Sequence, residues 1–115
     1  MKTSILAIAL FAFGATVNAQ SAKYQSAMQS AITLFDSAKS SDDFLAVSAN
    51  FERIATAEKT QWLPFYYAAM ATILRGFNDE KLNKDELGDK ADALLLKAEA
   101  IDPKNSEINV AKSMA

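Results

Sequence analysis

Two neighbouring acids, Asp42 and Asp43, and the run FNDEKLNKDELGD from Phe77 to Asp89 are where side-chain oxygens crowd in this sequence. A carboxylate pair can divide the work of general acid and general base. Here the pair follows Ser41 and opens a helical pattern, where acids favour the positive end of the helix dipole and Ser41 is the expected cap. The polar run invites a test for calcium, whose EF-hand loop needs oxygen ligands at alternate positions, Gly at the sixth and Glu at the twelfth. That order is absent. The run reads instead as a solvated loop ending in a helix cap at Asn83, supported by Glu86 three residues on.

The remaining chemistry is thin. With no His, the chain lacks the usual proton shuttle near neutral pH and the commonest transition-metal ligand. With no Cys, it has neither a thiolate nucleophile nor a disulfide. Ser, Asp, Glu, Lys and Tyr are present, but no Gly-rich phosphate loop, nucleophile elbow or metal-ligand cluster organises them. No catalytic, cofactor-binding or metal-binding residue is assigned, and an enzyme is not expected.

Charge narrows the partners. The 12 basic and 14 acidic side chains are interspersed, without a basic run, which argues against a nucleic-acid surface and a polybasic membrane patch. The first nineteen residues have the zones of a secretory signal: Lys2, the apolar core ILAIALFAF, and the small-residue end VNA. Cleavage after Ala19 is expected. That core is shorter than the roughly 20 residues a bilayer crossing requires. A periplasmic or secreted domain from residue 20 to residue 115 follows as the expectation.

The elements of that domain read as helices, because Ala is abundant while Gly and Pro are scarce. The first, about Ser21 to Ala38, repeats apolar residues at Tyr24, Met28, Ala31, Leu34/Phe35 and Ala38. A second carries Phe44, Val47, Phe51 and Ile54. The third, QWLPFYYAAMATILRG, has Pro64 in its first turn and is expected to close at Arg75 and Gly76. One of its faces holds Trp62, Phe65, Tyr66, Ala69, Met70 and Ile73; the other holds Leu63, Tyr67, Ala71 and Leu74. Such a helix either lies in the middle of the domain or offers its second face, with Arg75, to a partner. The fourth, from about Lys84 to Ile101, buries Leu87, Ala91, Leu94, Ala98 and Ile101, with Leu95 and Leu96 widening the stripe. Asp102-Pro103 halts it, and Ser106 is the expected cap of a short fifth helix.

A shift of 44 residues aligns Val47 with Ala91, Phe51 with Leu95, Arg53 with Lys97, Ile54 with Ala98 and Met70 with Met114. The second and fourth helices then correspond, as do the third and fifth. Within this pattern KADALLLKAEAIDPKN, with small Ala91, bulky Leu95, small Ala98 and Pro103 at the bend, resembles the second helix of a tetratricopeptide repeat. FERIA and WLPFYYAAMA extend the resemblance, and the whole is similar to exported tetratricopeptide-like proteins of the Bacteroidetes type. The resemblance implies an all-α fold of antiparallel helix-turn-helix pairs, four to five helices of an α-solenoid, and a protein or peptide partner.

Three functions compete at this point. The resemblance favours a protein-interaction or assembly module. A small helical carrier of an apolar ligand would use Phe51, Trp62, Phe65, Tyr66 and Tyr67, although such rings at helical spacing also make ordinary cores. A fragment of a longer array would expose the last helix, leaving the chain to fray after Pro103 or to bury Leu94, Ile108 and Met114 against a second molecule.

Overall fold

The computed structural model describes residues 22–115. The expected signal segment and its cleavage site lie outside the described residues. Five helices follow one another: α1 (22–37), α2 (Ser41–Ala57), α3 (Leu63–Asn78), α4 (Lys84–Ile101) and α5 (Ser106–Met114). No strand occurs among the described residues. The fold is all-α, and consecutive helices are packed as hairpins.

Contacts between the end of one helix and the start of the one before it establish that α2 and α3, and α3 and α4, run antiparallel. Phe35 near the end of α1 meets Phe44 at the start of α2, with ring centroids 6.2 Å apart. Arg75, late in α3, donates from Nε to Ser41 Oγ at 3.2 Å, at the head of α2. Lys97 near the end of α4 sits 6.0 Å from the ring of Phe65 near the start of α3. α3 packs against α2 and α4 and also touches α5. It is therefore the central helix, the first of the two positions its double apolar face allows.

The stripes expected from spacing reach the core. Met28, Ala31, Phe44, Val47, Phe51, Ile54, Ala69, Ile73, Ala91, Leu94, Leu95 and Ala98 are all buried. Burial of this apolar surface, at roughly 25 cal/mol per Å², is what holds helices whose own propensity would leave them marginal in water. Leu34 and Leu96, placed in stripes by spacing, instead stand 53% and 57% exposed, because Phe35 and Leu95 take the inward positions beside them. One polar pair enters the core: Ser48 on α2 and Thr72 on α3, both buried, lie 3.4 Å apart. Thr72 Oγ1 donates to the Ala68 carbonyl at 2.8 Å. Since a threonine hydroxyl has one proton, the Ser48 hydroxyl donates to Thr72.

Helix ends account for most differences from expectation. α2 is capped by Ser40 rather than Ser41: Ser40 Oγ accepts the Asp43 N–H at 3.1 Å, and Asp43 Oδ2 accepts the Ser40 N–H at 3.2 Å and the Lys39 N–H at 3.1 Å. This reciprocal box fixes Asp43 as a structural acid. These bonds, that from Lys39 foremost and those from Ser40 next, hold its carboxyl below the ordinary 3.8. α5 shows the same one-residue offset. Asn105, not Ser106, is the cap, its Oδ1 accepting from Glu107 at 2.9 Å and Ile108 at 3.3 Å. Asn83 caps α4 as expected, accepting from Glu86 at 3.1 Å.

Gly76 does not end α3, which runs to Asn78. It is buried inside the last turns, where a Cβ would stand 3.4 Å from Leu87 Cδ1. Here the small residue serves close approach to α4 rather than a turn. The polar run is correspondingly short as a loop. Phe77 and Asn78 finish α3, residues 79–83 connect, and Lys84 to Asp89 begin α4.

Candidate functional site

The residues first assigned to a partner lie where α3 meets the rest of its own chain. Tyr67 stacks on Phe51 with centroids 5.0 Å apart and an interplanar angle of 15°, and meets Phe35 edge-on at 5.9 Å. Ala71 is fully buried and Leu63 is partly buried against the core. Leu74 is half-buried, and Arg75 is held by Ser41. The structure thus brings Tyr67, Ala71 and Arg75 together as internal contacts of α3. Leu63, Tyr67, Leu74 and Arg75 each keep part of their surface accessible, while Ala71 does not.

The aromatic set is packed in the same way. Trp62 meets Tyr66 edge-on at 5.6 Å, and Tyr66 meets Tyr67 at the same distance. Burial pushes the Tyr66 hydroxyl above its usual pKa, and the carboxylate of Glu107 at the head of α5 adds to that shift. Tyr24 is raised likewise by burial, then by Glu58 and Tyr67. Four of these rings, Phe51, Trp62, Tyr66 and Tyr67, are thus in contact with one another.

An open groove of about 780 Å³ lies elsewhere, where the end of α3, the start of α4 and the end of α5 converge. Its floor is apolar: Ile73, Phe77, Leu87 and Met114. Phe77 is 64% exposed and Met114 38% exposed, so apolar surface here faces solvent. Along its α4 side stand Asp85, Asp89 and Asp92, one helix face at steps of four and three residues. Lys84, the lysine that lines the groove among the described residues, is turned to other work. Its Nζ donates to the carbonyl of Gly76 and, at 2.7 Å, to that of Asp79, closing the carbonyl end of α3.

Spacing does not single out these residues as a site, although part of the signal is in the sequence. Asp85, Asp89 and Asp92 share a face of any helix begun at Lys84. Phe77 is the one aromatic in the run from Phe77 to Asp89. What the sequence lacks is the position of α5, whose Met114 completes the groove.

Leu94 and Ile108, expected to be free for a second molecule, are buried within the chain. The nine residues of α5 dock on α4 and α3. Lys112 adds an ion pair to Glu99 at 2.7 Å. Of the three residues only Met114 remains accessible. Among the described residues no helix is long and apolar enough to cross a membrane, and no three acids gather as a metal site requires.

Comparisons with protein-family models, with curated proteins and with solved structures give no match for this chain.

Proposed function

We propose that this chain is an exported helical interaction module that holds a segment of another polypeptide in the groove between α3, α4 and α5, without catalysing a reaction on it. The observation that carries this reading is the exposed apolar floor, Phe77 above all, in a cleft walled by three packed helices. Exposed apolar surface set in a concave site is how helical scaffolds bind partners, whereas a ring standing 64% in water contributes little to the fold. On the same reading α2–α3 and α4–α5 are successive units of a tetratricopeptide-like array. The packing of α3 on both α4 and α5 supports that arrangement.

Panning a displayed library of helical peptides against the purified protein tests the proposal. Enriched peptides should lose binding to Phe77→Asp and Met114→Asp variants that keep their helical circular dichroism. Absence of any enriched peptide, or binding indifferent to both substitutions, overturns it. Mass spectrometry of exported protein should find Gln20 at the N-terminus; an intact Met1 would remove export from the proposal.

A further inference from the structure

Resting on that reading, we infer that the groove selects a basic amphipathic helix: a segment presenting Lys or Arg at steps of four and three residues, with an apolar side chain between them. One charge pattern on α4 is not explained by the fold itself. Asp85 lies in the first turn of α4, where the helix dipole favours an acid, but Asp89 and Asp92 are one and two turns further on, beyond the reach of that effect. Acids three and four residues apart on one helix repel each other. Such a row without a local cation is unfavourable to the isolated helix.

No cation forms an ion pair with the row among the described residues. Among the described residues Lys90 pairs with Glu52 at 3.6 Å, Lys112 pairs with Glu99, and Lys84 is engaged by two carbonyls. Asp85, Asp89 and Asp92 enter no ion pair among the described residues and are exposed. They flank the apolar floor along its length. A cationic segment meets both features at once: its charges lie along the acids while its apolar side chain covers Phe77 and Met114.

The form of the segment follows from geometry. From Asp85 to Asp92 the helix rises about 10 Å, two turns, so cations at the same four-and-three spacing on a partner helix stay in register with the carboxylates. The walls are helices whose backbone groups are already paired, which leaves no strand edge for an extended peptide to join. A helix brings its own backbone bonds and asks only for side-chain contacts.

The test uses fluorescence anisotropy with the purified protein and three labelled 16-residue helical peptides. They share one apolar face and carry Lys, Gln or Glu at the spaced positions. The Lys peptide should bind roughly tenfold or more tighter than the Gln peptide, with the preference shrinking as salt rises. Asp85→Asn/Asp89→Asn/Asp92→Asn should erase the preference while circular dichroism is unchanged, and Phe77→Ala should weaken every peptide. If all three peptides bind alike and Phe77→Ala weakens them, the charge selection is wrong and the interaction module stands. If none binds, and light scattering instead finds a Phe77-dependent dimer, the occupant is a second copy and this inference falls. Failure of all peptides without a dimer counts against both the selection and the module.

Discussion

The seam between α2 and α3 and the one between α4 and α5 are built from different residues, and the difference separates holding the fold from meeting a partner. In the first, Phe51 lies fully buried against Tyr67, with Phe35 of α1 edge-on to both rings. On α4 and α5 the buried residues are all small or aliphatic: Ala91, Leu94, Leu95, Ala98, Ile108 and Ala111. Large rings bury much surface per residue and lock one arrangement. Small residues let helices come close but leave edges uncovered, and it is at the α4–α5 end that Phe77 and Met114 face water. The repeat shift pairs these seams in sequence; side-chain size sets them apart.

The largest expected effect strikes the aromatic seam. Phe51→Ala should cost about 3–5 kcal/mol in urea denaturation, since a fully buried ring is removed from among other rings that cannot collapse into its space. A loss below about 1 kcal/mol would erase the proposed contrast. Next comes the small-residue seam, where Ala98→Leu should overpack and cost about 1–3 kcal/mol. Leu96→Ala, two residues away and exposed, should stay within about 0.5 kcal/mol. Equal effects at the two positions would show that the close approach at Ala98 does not matter.

The smallest effect concerns the cap that the sequence misplaces by one residue. Ser40→Ala should cost about 1 kcal/mol, and Ser41→Ala only a few tenths, measured by thermal and urea melts. The box also carries a pH signature. Asp43 is more acidic in the folded chain than its ordinary 3.8, so its contribution is complete above that value and is lost as pH falls through the lower folded value. The stability gap between wild type and Asp43→Asn should therefore narrow on acidification through that window. A gap that widens would mean the carboxylate is not the acceptor in the box.

Much of this architecture was legible in residue spacing. The bounds of α4, the cap at Asn83 and the inward positions Phe44, Val47, Phe51 and Ile54 follow from periodicity and cap chemistry, which are local. Ser40 and Ser41 are both capable caps, so local rules do not choose between them; the Asp43 carboxylate returning to the Ser40 N–H does. Gly76 misled because its role is tertiary, the approach of Leu87 from the next helix. The groove was hidden for the same reason. Its floor gathers Ile73, Leu87 and Met114 from three helices, and no window of sequence contains them together.

The buried hydroxyl pair of Ser48 and Thr72 bears on a different property, the choice of a single alignment. The α3 side of the core is rich in alanine, with Ala68, Ala69 and Ala71 all fully buried, so along that stretch resistance to a slide of α2 comes from the Phe51–Tyr67 stack and from the hydroxyl pair. A slide of about 5.4 Å would carry the Ser48 hydroxyl away from Thr72 and give up the hydrogen bond between the two helices. Only one setting of the two helices satisfies the hydrogen-bond chain from Ser48 through Thr72 to the Ala68 carbonyl. The pair thus acts as a detent: it contributes little depth to the native minimum and removes its neighbours. The groove inherits that definition directly, because Thr72 is itself one of the residues that line it.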